Sequence, residues 1–352
     1  MIKNMLSGSD VTEFRAWMEW ADRYVILTHV GPDGDAIGSS LALCHYLKSK
    51  GKQACVIVPD SLPDFLKWLP GANNIIVHAS DPDGADELVY KADVLCCLDF
   101  NVVGRISKVA VSFLYSKAKK FLLDHHPYPG ANFDVTLSHP EASSTSEMVF
   151  HLICALGDFS LIDLDTARCI YTGIMTDTGA LSYNSNSSTL FNVVSHLLEI
   201  GIDKDDIYRR VYNTYSESRL RLQGFVLCEK MQVFKDKSTS LITLTDEELR
   251  RFDYKKGDTE GFVNMPLQIS GVLLSAFFRE DTESGLIKLS FRSAGEIPCN
   301  RFSAAFFNGG GHQNAAGGEF RGTLDEAVER FMAGLDEWSK SKEDCIKQMF
   351  KK

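Results

Sequence analysis

The sequence predicts an α/β protein: an N-terminal unit built on a parallel sheet, a helical connector and a smaller C-terminal α/β unit. Three observations predict it. In the first half, short apolar runs alternate with stretches whose apolar residues recur at helical spacing, the pattern of a parallel sheet covered by helices on both faces. From about Asp203 to Lys230 this alternation gives way to charged, helix-patterned sequence. Beyond Ser238 strand-like runs return, punctuated by Gly309–Gly311 and Gly317–Gly318. Boundaries drawn on these changes are 1–200, 201–237 and 238–345.

Taken in order, Tyr24–Thr28 is β-branched and apolar and breaks at His29–Asp35, which predicts a strand and its turn. Ala36–Lys50 places Ile37, Leu41, Leu43 and Leu47 at helical spacing and stops at Gly51. Ala54–Val58, Val94–Leu98 and Phe121–Leu123 read as further strands, and the acidic segment Asp81–Glu87 as a solvated loop. Ser144–Leu156, Leu164–Thr176 and Ser188–Ile200 read as helices, the last ended by Gly201. In the second unit the expected strands are Ser240–Thr243, Val272–Arg279 and Leu286–Arg292. The expected helices there are Asp246–Phe252, Arg301–Phe307 and Leu324–Lys340, with Ser341–Lys352 as a helical or frayed tail.

A chain of 352 residues suits two domains better than one core. Hydrophobic residues make up 44% and charged residues 24%, ordinary for a globular protein. The net charge of −10 argues against a binder of long duplex nucleic acid, which draws on many Lys and Arg contacts to phosphate, and leaves small phosphorylated substrates open. Nine cysteines, an odd number with no C-x-x-C pair, read as reduced thiols in a cytoplasmic protein. Met1–Asp10 lacks the apolar segment of a signal peptide, and no apolar run reaches the about 18 residues of a membrane span.

The chemistry-bearing residues fall where strands end, which is where open α/β sheets bind ligands. His29-Val-Gly-Pro-Asp33-Gly-Asp35 puts an imidazole and two carboxylates in one Pro/Gly turn. Such ligands suit Mn²⁺, Mg²⁺ or a similar cation, and without one the carboxylates would repel. A plain Asp-Gly surface turn is the ordinary alternative. Asp99 follows the run Val94–Leu98, where a capping role would also explain it. Asp124-His125-His126 follows the next strand. Asp177 lies at the end of a helix, where a carboxylate is unfavourable unless a cation compensates it. Together these ligands are numerous enough for two cations that share a carboxylate. Such a pair, about 3.5–4 Å apart, can activate a water and stabilise in-line displacement at phosphorus. In the second unit, Gly309-Gly310-Gly311-His312 could let backbone N–H groups approach a phosphate. Arg279 and Arg292, each closing an expected strand, are suited to grip one.

These motifs resemble those of the DHH/DHHA1 phosphoesterases, most closely the small bacterial oligoribonucleases (nanoRNases) that also act on 3′-phosphoadenosine 5′-phosphate. The resemblance covers nearly the whole chain. It implies one cation held by His29, Asp33 and Asp99, and another held by Asp35, Asp99, His125 and Asp177, with Asp99 bridging. It implies that Asp124 orients a ligating imidazole and that His126 faces the substrate phosphate. His312, the neighbouring Gly309, Gly310 and Gly311, and with them Arg279 and Arg292, would hold the substrate. Mn²⁺ is the implied metal, with Mg²⁺ and Co²⁺ as alternatives. The implied partner is a short single-stranded RNA or a nucleotide, not long duplex or membrane, and a homodimer is compatible with the family. The first motif commonly has asparagine where this chain has Gly31, a departure expected to remove a side-chain hydrogen bond but no ligand. Pyrophosphatases, exopolyphosphatases and cyclic-dinucleotide phosphodiesterases share the first motifs, and a non-catalytic nucleotide sensor could use the same fold. A dinucleotide-binding oxidoreductase would need G-x-G-x-x-G after the first strand, and Gly31, Gly34 and Gly38 do not fit it.

Overall fold

The structure is a computed structural model that describes residues 5–349 other than Ser7, Lys256, Thr282 and Glu283, with side chains through Trp338. The chain divides into two compact units, Met1–Thr214 and Tyr215–Lys352. The division falls within the charged stretch read from the sequence as a connector.

The first unit runs α1 (Ser9–Trp20), β1 (Arg23–Leu27), α2 (Gly34–Ser49), β2 (Gln53–Val58), β3 (Ile76–Val77), α3 (Pro82–Lys91), β4 (Val94–Leu98), α4 (Val109–Tyr115), β5 (Lys119–Asp124) and β6 (Val135–Ser138). Four helices follow: α5 (Thr145–Ala155), α6 (Leu164–Asp177), α7 (Ser188–Ile200) and α8 (Lys204–Tyr212). Its six strands are ordered β3-β2-β1-β4-β5-β6, and every pairing is parallel. All five residues of β4 are buried, which is why that strand is an unbroken apolar run. Alternate side chains feed two cores: Tyr24, Ile26, Cys96, Leu98, Phe121 and Leu123 face the α2, α5 and α6 side. Val25, Leu27, Leu95, Cys97 and Leu122 face the α3 and α4 side. Strand order reverses between β1 and β4, so the loops leaving these neighbours diverge and open a crevice at their carboxyl ends.

The segment Asp81–Glu87 is not the solvated loop expected of it. Asp81 caps α3 by accepting the Gly84 N–H, Pro82 occupies the first turn, and Ala85 and Val89 are buried. Local capping chemistry outweighed the acidic composition.

The second unit begins earlier than Ser238. It runs α9 (Glu217–Phe225) with a π turn at Val226–Lys230, β7 (Met231–Phe234), β8 (Thr239–Leu244), α10 (Asp246–Arg251), β9 (Leu274–Asp281) and β10 (Leu286–Ser293). It ends with α11 (Cys299–Phe307), β11 (Gly310–His312), β12 (Ala315–Phe320) and α12 (Leu324–Met349). The expected tail continues α12 as far as Met349, and residues 350–352 lie outside the described residues. The sheet order is β11-β12-β10-β9-β8-β7, antiparallel except for β8 with β9. One face packs Phe278, Phe291, Phe302, Phe307 and Phe331 into a core under α11 and α12. A second cluster joins Ile242, Phe277 and Phe262. Among the described residues no helix is long and apolar enough to cross a membrane, and the described cysteines are unpaired.

Candidate metal centre

Five elements of the first unit deliver the site. β1 ends two residues before His29, whose side chain is buried, and whose Nδ1 lies 2.9 Å from the Val30 carbonyl. The chain then turns through Gly31 (φ 62°), and Asp33 caps α2 by accepting the N–H groups of Asp35 and Ala36, each at 3.0 Å. Asp35 projects from the first helical turn and is 1% exposed. Asp99 follows β4 with φ 63°, a left-handed conformation that aspartate tolerates better than most residues, so it is no helix cap. Asp177 is the last residue of α6.

The expected ligands converge. His29 Nε2 lies 3.3 Å from Asp99 Oδ2. His125 Nε2 lies 3.5 Å from Asp99 Oδ1, 3.5 Å from Asp177 Oδ2 and 3.9 Å from Asp35 Oδ2. Within the first unit, three groups place their ligand atoms within 4.8 Å of one another: His29, Asp33 and Asp99; Asp35, His125 and Asp177; Asp99, Asp124 and His126. Asp99 belongs to two of them and approaches the third through His125.

Charge in this buried space explains the proton affinities. Burial pushes the Asp35 carboxyl far up, and the neighbouring Asp99 and Asp177 charges add to it. Burial acts the same way on Asp99, but hydrogen bonds from His125 and His29 outweigh it and hold its carboxyl well below the usual range. Burial pushes His29 down, yet its hydrogen bond to Asp99 and the charges of Asp33 and Asp99 lift it to about 9. His125 is raised in the same manner, chiefly by Asp99 and Asp177. Crowded carboxylates with two imidazoles, all oxygen and nitrogen donors, fit hard or borderline divalent cations.

Asp124 departs from its expected role. Its fully buried carboxylate accepts from His126 Nδ1 at 2.7 Å, so the imidazole it orients is that of His126 and not of a residue assigned to metal. β5 ends at Asp124, and in the turn that follows His126 folds back on it, with Nδ1 also 3.6 Å from Asp99 Oδ1. His125 Nδ1 instead lies 3.3 Å from the Ala142 carbonyl.

Three residues escaped the sequence reading. Thr145 and Ser146 open α5 and donate their backbone N–H groups to Asp35, at 2.7 and 2.8 Å, while Thr145 Oγ1 donates to Asp99 at 3.1 Å. A helix N-terminus thus faces the buried carboxylates and favours their charge. Arg105 Nη1 lies 2.9 Å from His126 Nε2. The Ser144 cap and Glu147 at N3 announce the start of α5, but nothing in the sequence says which carboxylates it meets.

In the second unit, strand register puts Arg279, Lys288, Ser290, Arg292, Gly310, His312, Ala315 and Gly317 on one sheet face. Arg279 lies over the Tyr254 ring, and Arg292 Nη1 donates to the Phe291 carbonyl. Gly309 and Gly311 are glycines for a reason internal to the hairpin. A Cβ on Gly309 would overlap the Gly317 carbonyl and Ser303 Oγ, and one on Gly311 would overlap the Ala315 carbonyl, whereas Gly310 borders open space. The remaining histidines are occupied elsewhere: His45 with the Pro70 carbonyl, His78 with Asp86, His139 with Glu141, His151 with Glu147 and His196 with Glu199.

The comparisons with known proteins agree with this architecture. The N-terminal domain of the DHH family matches residues 23–174, and the DHHA1 domain matches residues 240–341. The bifunctional oligoribonuclease and PAP phosphatase NrnA of Thermus thermophilus is 31% identical over 313 residues, 89% of this chain and 89% of that protein. NrnA of Bacillus subtilis is 25% identical over 333 residues, 94% of this chain and 99% of that protein. The crystal structure of an exopolyphosphatase-related protein from Bacteroides fragilis superimposes with a TM-score of 0.91 at 54% identity, covering 95% of this chain and 97% of the other. With a buried aspartate and histidine centre in its DHH domain and a DHHA1 domain after it in sequence, the chain belongs to the DHH family and is a hydrolase of phosphate esters.

Proposed function

We propose that the protein is a two-cation phosphoesterase that hydrolyses short oligoribonucleotides, di- to pentanucleotides, to mononucleotides, and 3′-phosphoadenosine 5′-phosphate to AMP. The observation that carries this reading is the convergence of two ligand groups on Asp99 at the switch point of a parallel sheet. His29, Asp33 and Asp99 would hold one cation, and Asp35, Asp99, His125 and Asp177 the other, with Mn²⁺ the preferred ion and Mg²⁺ or Co²⁺ as alternatives. Bound there, divalent cations supply Lewis acidity toward a phosphoryl oxygen and lower the pKa of a water. The chain's own part is to keep that charge in place. The first turn of α5 fixes both oxygens of Asp35, Thr145 fixes Asp99, and the Asp124 carboxylate holds His126 at the edge of the site. In the second unit, Arg279, Arg292, Gly310 and His312 share one face suited to the phosphate or base of a short ligand, and Gly309 and Gly311 shape its turn. Similarity to the two NrnA proteins supports the substrate class. Activity in the cytoplasm, as a homodimer in the manner of the family, completes the reading.

The test is product analysis with a 5′-labelled RNA dinucleotide and Mn²⁺, beside Asp99→Asn, which keeps the left-handed backbone that asparagine tolerates. Mononucleotide release that the substitution lowers by at least about 10³-fold is expected, since it alters both ligand groups at once. An intact dinucleotide would overturn the reading. A second reading, exopolyphosphatase, is favoured by the name of the 54% identical Bacteroides fragilis protein. Polyphosphate in the same assay decides between them.

A further inference from the structure

The site as assembled from the metal ligands is strongly anionic, and a phosphoester brings more negative charge to it. A fixed cation at its edge is Arg105, in the short turn Val103–Ile106 between β4 and α4. Its carbonyl accepts the Val30 N–H at 2.8 Å, which ties this turn to the loop that carries His29 and Asp33. Its guanidinium is half-buried, and among the described residues it has no carboxylate partner. Its side-chain hydrogen bond there runs from Nη1 to His126 Nε2 at 2.9 Å, and His126 Nδ1 in turn meets Asp124 at 2.7 Å.

The chemistry of this chain is directional. Arginine offers only donors, so His126 Nε2 accepts and Nδ1 donates to Asp124. His126 is then a spacer between a buried carboxylate and a guanidinium, with both ring nitrogens engaged. The fork of Arg105 keeps further N–H donors for an anion, in a geometry that suits two oxygens of a phosphate.

We propose that Arg105 is the substrate-contacting cation of this site, its guanidinium aimed by the Asp124–His126 pair at a non-bridging phosphate oxygen. The proposal rests on the phosphoesterase reading and changes the part played by His126, which positions the arginine and does not meet the phosphate first. Arg105 lies in the first unit, apart in sequence from every anion-gripping residue expected in the second.

The test compares full-length wild type, Arg105→Gln and Arg105→Lys, each loaded with Mg²⁺. Titration calorimetry measures affinity for Mg²⁺ and then for inorganic phosphate, and steady-state kinetics on the RNA dinucleotide give kcat and KM. The Gln variant is expected to bind phosphate about tenfold more weakly or worse, the loss of a charge-assisted contact, while its Mg²⁺ affinity stays within about twofold. Its kcat/KM is expected to fall about 10²-fold, and the Lys variant to recover part of both losses. Phosphate affinity unchanged in the Gln variant overturns the proposal. So does a parallel loss of Mg²⁺ affinity, which would make Arg105 a builder of the metal centre. If the Gln variant fails to fold, the Lys variant decides: it keeps the charge without the fork, and phosphate binding equal to wild type overturns the assignment. Wild type that binds phosphate through Arg105 yet leaves the dinucleotide intact removes the oligoribonuclease reading and leaves the arginine in place.

Discussion

Thr145 ties together two of the candidate cation ligands. Its backbone N–H and its hydroxyl reach two different carboxylates, Asp35 and Asp99. Thr145→Val keeps the shape and the N–H and removes only the hydroxyl. Mn²⁺ affinity measured by calorimetry is expected to fall about 10-fold, as partners of metal ligands commonly cost 10- to 100-fold, while Tm moves little; unchanged affinity would show that Asp99 needs no such anchor. His29 carries a pH dependence. Its folded-state value of about 9 lies above the ordinary 6.5, so the metal-free fold holds the proton more tightly than the unfolded chain. That contribution is fully present below about pH 6.5 and is lost as pH rises through 9. Asp35, raised in the same site, acts in the same direction. In chelator, Tm is expected to fall between pH 6.5 and 9, and added Mn²⁺ to oppose the fall because cation binding displaces the proton. A Tm that rises over this window in chelator would contradict the assignment. Gly31 had suggested a lost side-chain hydrogen bond. The backbone tells more: φ is 62°, a Cβ would meet open space, and the N–H donates to Asp60 at 2.6 Å. Asparagine and glycine are the residues that accept such a conformation most readily.

At the scale of elements, the site depends on how closely α2 and α6 approach. A Cβ on Gly38 would lie 2.6 Å from the Cys169 carbonyl and 2.9 Å from the Gly173 nitrogen. A Cβ on Gly173 would overlap Ser146 Oγ and lie 2.7 Å from Asp35 Oδ1. Gly173→Ala is therefore expected to destabilise by about 1–3 kcal/mol in urea unfolding and to weaken cation binding, because the methyl displaces Asp35 or the start of α5. Stability and affinity both unchanged would mean the helices can part freely. This packing was not legible in the sequence, since two glycines in helical patterns announce no partner. What was legible follows from burial: β1, β2, β4 and β5 are covered on both faces and so are largely continuous apolar runs, and β1, β4 and β5 lead to chemical residues. β11 and β12 were missed because Gly310–His312 and Ala315–Phe320 carry few strand-forming side chains and are held by register with β10. α3 was missed because only Ala85 and Val89 of its ten residues are buried. The candidate ligands were readable because they are charged groups at the ends of strands and helices. Thr145, Ser146 and Arg105 were not, because their roles exist only once distant segments meet.

At the scale of the whole molecule, the proposed function divides two kinds of work between the units. Each has its own cores: one pair draws only on residues before Thr214, the other only on residues after Tyr215. The cation ligands expected from the sequence, His29, Asp33, Asp35, Asp99, His125 and Asp177, lie in the first unit. Arg279, Arg292 and the Gly309–His312 turn lie in the second. A fragment of residues 1–214 is long enough to bury about 70% of its unfolded surface and keeps all six strands of the parallel sheet. It is expected to unfold cooperatively and to bind Mn²⁺ with affinity near that of the full chain. On bis(p-nitrophenyl) phosphate, an ester with no base to recognise, it should keep kcat/KM within about tenfold. On the RNA dinucleotide its KM should rise by about 10- to 100-fold, the worth of one or two charge-assisted phosphate contacts. Equal losses on both esters would place part of the chemistry in the second unit. No loss on the dinucleotide would deny Arg279, Arg292 and His312 any part in binding it. Only a loss confined to the nucleotide supports a division in which one unit cleaves phosphate esters and the other chooses them.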